Sequence, residues 1–111
     1  IHVIGYAAIA GAMPKSGFSA SSQAKVTAVA VIALLNEEQP VPPSLANTCY
    51  SFLAPDYAIS VAAVYRLSGG EIVKVEGSGG VSPPDADLSV RRAESIYAQG
   101  WYDSITQDMF G

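Results

Sequence analysis

Charge is scarce in this sequence. Asp, Glu, Lys and Arg make up 14% of its 111 residues, where a soluble domain of average composition carries about 25%. Half of the residues are hydrophobic, and the mean hydropathy is +0.27. A monomer normally covers itself with charged side chains. Part of this surface is therefore expected to lie under a missing domain, a partner chain or a second copy. The net charge of −4 and the pI near 4.6 argue against nucleic acid and anionic membrane surfaces as partners, because both select for Lys and Arg. Long apolar runs are lacking too. The longest, Ala28 to Leu35, falls far short of the ~20 residues that span a bilayer, so no membrane span is expected. No charged stretch, apolar core and cleavage site open the sequence, so no signal peptide is read there. A first residue of Ile points to a fragment or a processed chain.

Reactive residues are equally few. Cys49 is the one cysteine, so no disulfide closes within the chain, and cysteine count leaves the compartment open. His2 is the one histidine. Without a second histidine or further cysteines a metal site of the usual spacing is not expected. There is no G-x-S-x-G to suggest a hydrolase nucleophile. The "GSGG" at 77–80 is too short for a nucleotide-binding fingerprint and reads as a turn. Glu37 and Glu38 read as a solvated helix end rather than an acid–base pair.

What is present is a set of short elements. "HVI" is a β-branched run ended by Gly5, read as a strand meeting a turn. Residues 7–18 are mostly small, with Pro14 and Gly17 marking a loop. Ser19, Ser21 or Ser22 could cap a helix running to about Asn36. Between Gln23 and Asn36 only Lys25 and Thr27 are polar, so most of the circumference of that helix is expected to be buried. "NEEQPVPP" stops it, and Pro40, Pro42 and Pro43 hold an extended linker. A boundary is placed there: residues 1–38, a linker at 39–45, and a small domain at 46–111. "TCYSFL" and "AISVAAVYRL" read as strands. "SGG" turns the second into "EIVKV". Asp85 or Asp87 could cap a helix over Leu88–Gln99 with Arg91, Arg92 and Glu94 toward water and Val90, Ala93, Ile96 and Tyr97 inward. Gly100 is expected to break it, and a last short helix would use Trp101, Ile105 and Phe110 as anchors. Strands first and helices after predict an α+β fold: a small antiparallel three-stranded sheet with helices on one face.

Two features could carry chemistry. The small-residue loop before the apolar helix reads either as a helix N-terminus aimed at an anion or electron-rich ring, or as an ordinary loop before a buried helix. Spacing alone favours the second. Cys49, between Thr48 and Tyr50, is either a redox thiol or a small buried hydrophobe, and again the sequence favours the second.

Longer stretches add to this. "MPKSGFSASSQAK" (13–25), "NTCYSFLAPDYAISVAAVYRL" (47–67), "GGVSPPDA" (79–86) and "YAQGWYDSITQDMFG" (97–111) closely resemble the C-terminal part of the flavoprotein subunit of flavocytochrome c sulfide dehydrogenase. The resemblance covers nearly the whole chain. It implies that residues 1–38 are a strand–loop–helix remnant of an FAD-binding domain, followed by the family's C-terminal domain. It further implies that Cys49 is the catalytic residue, forming a redox disulfide beside FAD with a cysteine from the missing N-terminal flavoprotein region. Sulfide attacks that disulfide, two electrons pass to FAD, and a c-type cytochrome subunit takes them one at a time, in the periplasm. The cofactor-binding residues implied are Gly5, Tyr6, Ala7, Met13, Pro14, Lys15 and Ser16. Gly11 to Ser19 would let the backbone approach the ring, with Met13 and Pro14 against the isoalloxazine and Lys15 adding positive charge. The family carries "IGDA" where this sequence has Tyr6 in place of the Asp whose carboxylate accepts hydrogen bonds from the ribityl chain. Lacking the FAD fingerprint and the partner cysteine as well, the isolated chain is expected to be inactive. The other reading is an interaction module that forms a homodimer through the surface the missing domains normally cover.

Overall fold

The computed structural model describes all residues, Ile1–Gly111. Its elements are a short 3-10 turn at Gly5–Ala7, then α1 (Gly17–Leu35), β1 (Ser44–Ala54), β2 (Tyr57–Ser68), β3 (Glu71–Lys74), β4 (Gly80–Val81) and α2 (Leu88–Phe110). The strands form one sheet of order β1–β2–β3, with β4 also pairing β2. The small α+β class read from the sequence is the one observed, with a very short fourth strand added to the three expected. By contact the chain forms two compact units, Ile1–Thr48 with Ala62–Gly79, and Cys49–Val61 with Gly80–Gly111.

The first unit is built on a small core of Met13, Leu45, Ala63 and Tyr65, with Ala10, Val26 and Ile72 packed against it. The β2–β3 hairpin is antiparallel, pairing Tyr65 with Lys74 and Ser68 with Glu71. Its turn is Gly69–Gly70, both at positive φ (59° and 83°), as a two-residue hairpin loop of this twist requires. The "HVI" stretch is not a strand. A strand needs a neighbour to pair with, and the sheet offers His2–Ile4 none. Instead the chain turns at Gly5, whose N–H is taken by Gln23 Oε1 at 2.8 Å.

Helix α1 departs from expectation at its cap and on its faces. Its cap is Ser16, not Ser19, Ser21 or Ser22: Ser16 Oγ accepts the Ser19 N–H at 3.0 Å. Its buried residues are Ser19 and Gln23, whereas Val29, Val31, Ile32, Leu34 and Leu35 are exposed. The polar stripe is the inward one. Ser16 and Ser19 hydroxyls donate to Asn47 Oδ1 at 2.5 and 3.0 Å, and Ser22 Oγ accepts the Ala46 N–H at 3.1 Å. By length and composition, 19 residues with a mean hydropathy of 1.4, α1 is long and apolar enough to cross a membrane. The serine stripe of its first turns hydrogen-bonds to β1, and Gln23 bonds Gly5 and the Met13 sulfur.

In the second unit β1 and β2 are joined by Pro55–Asp56, and α2 runs without interruption for 23 residues. Asp87 is its cap, its side chain accepting from the N–H groups of Ser89 and Val90. Gly100 does not break the helix. One interior glycine costs only about 1 kcal/mol, and the turns around it are held by contacts such as Gln99 Nε2 to Asp103 Oδ1 at 2.9 Å. The facing of α2 also differs from the reading. Arg91, Ser95 and Ala98 are buried, while Val90, Ile96 and Tyr97 are exposed. Of the expected anchors, Trp101 and Ile105 are half-buried and Phe110 is exposed.

Candidate functional site

The residues expected to touch a cofactor fall on the 3-10 turn and on the loop before α1, all in the first unit. The structure does bring the two together: Lys15 Nζ donates to the Tyr6 carbonyl at 2.7 Å. Tyr6, Ala7, Pro14 and Lys15 are exposed, and Gly5 is half-buried. Met13 is 6% exposed. Its side chain lies in the core, and its sulfur is 3.8 Å from Gln23 Nε2. Ser16 is occupied as the helix cap. Gly11 sits at φ +58°, and a Cβ there would lie 2.3 Å from the Ile72 carbonyl oxygen. The neighbouring Ala12 N–H donates to that same oxygen at 3.0 Å. The small residue at 11 thus serves a close approach of the loop to β3. The exposed rim, with the Lys15 ammonium and the first turn of α1, is electropositive in character.

Cys49 lies in the second unit on β1 and is half-buried. Strand alternation puts it on the face of β1 opposite Tyr50 and Phe52. Those two aromatics, with Ala98, Gln99, Trp101 and Tyr102 of α2, line an open cleft of about 350 Å³. The sequence reading missed this cleft, having taken Trp101 for a core anchor. The available signal was aromatic residues two apart on a strand and adjacent on a helix, but nothing in either segment says that they meet.

Next to the cleft is a polar cluster. Glu94 Oε1 accepts from Ser60 Oγ at 2.8 Å and from Ser82 Oγ. Glu94 Oε2 faces Arg91 Nη1 at 3.4 Å. Arg91 is 2% exposed. Its Nη2 donates to the Pro83 carbonyl, its guanidinium stands 5.6 Å from the centre of the Tyr57 ring, and its Nε has no partner. Burial pushes the Glu94 carboxyl up, but the hydrogen bonds from Ser82 and Ser60 and the pairing with Arg91 outweigh this, and the net direction is down. Tyr50 is shifted up, first by burial and then by the nearby charge of Glu94. No group of three or more His, Cys, Asp and Glu side chains is placed to hold a metal.

Together the fold and these features define a small α+β module that carries one thiol on a strand and an aromatic cleft between that strand and a helix. Residues 41–110 match the family described as flavocytochrome c sulphide dehydrogenase, flavin-binding. The chain belongs to that family, and its family is a flavin-binding one. Cys49 and the whole of the aromatic cleft lie inside the matched segment. The 3-10 turn, the loop and α1 precede it.

Proposed function

We propose that the chain is the C-terminal portion of a flavoprotein that oxidises sulfide through a redox disulfide and FAD and passes the electrons to a c-type cytochrome in the periplasm. On this reading residues 1–38 are the end of the FAD-binding domain, 39–45 a linker, and 46–111 the C-terminal domain. The observation that carries it is the family match across 41–110, which encloses both Cys49 and the aromatic cleft.

The lining chemistry suits a flavin. The rings of Tyr50, Phe52 and Trp101 offer faces on which a flat heterocycle stacks, on the side of β1 turned away from Cys49, so the cleft supports ring binding and not the redox step. Taken by itself, the first unit offers the Lys15 ammonium and the α1 N-terminus, which suit an electron-rich edge. When bound, the flavin supplies a two-electron acceptor, and the protein supplies orientation and charge. The contribution of Cys49 is its sulfur. In a disulfide with a second cysteine of the longer protein, one sulfur is attacked by HS⁻. The S–S bond breaks, a persulfide forms on the attacked cysteine, and the other leaves as thiolate. In the isolated chain, which has one cysteine, that step has no disulfide to act on, so the chain alone is inactive.

The test is a titration of FAD into the purified chain, read by quenching of flavin fluorescence, with Lys15→Gln and Trp101→Leu beside it. Saturable quenching weakened by either substitution supports the reading, and no quenching counts against flavin binding by this portion. Mass shift on alkylation of the native chain tests Cys49. A thiol left unmodified until the chain is unfolded counts against its reactive role.

A further inference from the structure

The charge of the chain is unevenly divided. In the second unit Asp56, Asp85, Asp87, Glu94, Asp103 and Asp108 stand against Arg91 and Arg92, so six carboxylates less two guanidinium groups leave −4. The first unit holds four basic and four acidic side chains and balances. The whole net charge of −4 therefore lies in the unit that carries the aromatic cleft. The cleft walls are themselves uncharged: Tyr50 and Phe52 on β1, with Ala98, Gln99, Trp101 and Tyr102 on α2. No Lys, Arg or His follows Arg92 in α2. Acidic groups stand at the margin. Gln99 donates to Asp103 at 2.9 Å, and the Glu94 charge reaches Tyr50, raising its hydroxyl together with burial, the larger cause. Of the two cations, Arg91 is buried and paired with Glu94, and Arg92 precedes Gln99 by about two helical turns. Phe52 and Tyr102 are 51% and 58% exposed, so ring surface is open to a ligand.

We infer that the cleft is a binding site for a small organic cation, a quaternary ammonium, seated against the rings of Tyr50, Phe52, Trp101 and Tyr102. The negative face of an aromatic ring attracts a cation, and each such contact at an exposed site is worth roughly two- to fivefold in affinity. The acidic unit around the cleft concentrates cations and repels anions. The lining selects the kind of cation. A primary ammonium brings three N–H donors, and uncharged ring walls would leave them short of acceptors at a cost. A quaternary ammonium has no N–H to satisfy and offers methyl groups to the rings. The inference does not rest on the flavin reading, although a flavin ring would compete for the same faces.

The test titrates choline chloride into the full chain and follows the emission of Trp101, the one tryptophan, with sodium chloride at matched concentration as the blank. A saturable change is expected. The alcohol 3,3-dimethylbutan-1-ol has the shape of choline without the charge, and should bind roughly fivefold or more weakly. Tyr102→Leu, at an exposed position, should weaken choline by roughly two- to fivefold and affect the neutral alcohol less. No saturable change with choline would overturn the inference. So would equal affinity for the alcohol, which marks an apolar cleft indifferent to charge, or choline binding unmoved by Tyr102→Leu. A response to phosphatidylcholine vesicles with none to free choline would overturn it too, making the surface a membrane contact. The wild-type comparison of choline with its isostere needs no variant, so it decides the matter even if the leucine chain folds poorly. Choline binding without flavin quenching would sink the flavin reading and leave this one standing; quenching without choline binding would do the opposite.

Discussion

Removing the Glu94 carboxylate should destabilise the second unit well beyond the effect of a surface substitution. Arg91 and Glu94 side chains are 3% and 14% exposed. The guanidinium is already short of acceptors: one carbonyl, one carboxylate oxygen at 3.4 Å, a ring face, and nothing at Nε. Glu94→Ala leaves that buried cation with Pro83 O and Tyr57 alone, and removes the carboxylate acceptor from the Ser60 and Ser82 hydroxyls, leaving Ser82 Oγ the Ser60 carbonyl. Breaking a buried pair from one side costs about 3–5 kcal/mol. Glu94 keeps some contact with water, so the low end applies, roughly 3 kcal/mol, set against a total stability of about 5–15 kcal/mol. Urea unfolding reads this directly. Glu94→Gln, which keeps acceptors for the serines but loses the charge, should fall between wild type and alanine. Arg91→Met with Glu94→Leu should recover most of the loss, since an apolar replacement of the pair removes the stranded charge. A loss under about 1 kcal/mol for Glu94→Ala would refute the claim that the carboxylate holds a buried guanidinium. The same group sets an acid dependence. Its folded pKa lies below the unfolded one, so its contribution is complete above about pH 4.3 and is lost as pH falls through the lower folded value. The Asp87 carboxyl acts in the same direction, lowered first by the Ser89 hydroxyl. The urea midpoint should therefore fall on acidification below roughly pH 5, and Glu94→Gln should flatten that fall.

Two further outcomes are expected. Gly79→Ala should cost about 3 kcal/mol or more in urea unfolding, against about 1 kcal/mol for Gly70→Ala. Both glycines have positive φ, but a Cβ at 79 would lie 2.0 Å from the Ala62 carbonyl oxygen, while one at 70 meets nothing within 4 Å; equal costs would contradict the close approach. In an alkaline spectrophotometric titration, Tyr50→Phe should remove a late-ionising tyrosine, and Glu94→Gln should draw that ionisation part of the way back, because burial and then the Glu94 charge are what raise it. If Tyr50→Phe removes none of the late-ionising absorbance, the assignment fails.

The positions of most elements were legible because each rests on local chemistry; the exceptions are the expected strand at His2–Ile4, which does not form, and the expected break at Gly100. β-branched and aromatic runs made β1 and β2, Ser68–Gly70 turned β2 into β3, and Asp87 capped α2. The facing of the helices was not legible. A reader of α1 sees apolar residues and turns them inward. The structure turns Ser16, Ser19, Ser22 and Gln23 inward, because the neighbouring feature is a strand edge with N–H groups and a buried Asn47 to satisfy. The serine spacing of three was present in the sequence, but its meaning depends on what lies beside it. Arg91 is buried for the same reason: besides Glu94 on its own helix, the Pro83 carbonyl and the Tyr57 ring from two other segments converge on it, and neither of those is visible from position 91. Gly100 was misread because local propensity, worth about 1 kcal/mol, was weighed without the cooperative length of the helix on either side.

The candidate site follows the same division. Gly11 and Met13 were read as small and soft residues placed to approach a ring, and the residue types are right for a close approach. In the fold, the approach at Gly11 is to the Ile72 carbonyl, and the Met13 side chain fills the core with Leu45, Ala63 and Tyr65. A residue type records that something comes near, not what. Residues whose side chains the fold does not consume are better placed to meet a ligand. On that ground Lys15, Pro14 and Tyr6 on the rim, and Tyr50, Phe52 and Trp101 in the cleft, are the positions where substitution should alter flavin binding without first altering the fold. Gly11→Ala and Met13→Ala should instead report through stability, and a flavin titration of those variants means little until their unfolding has been measured.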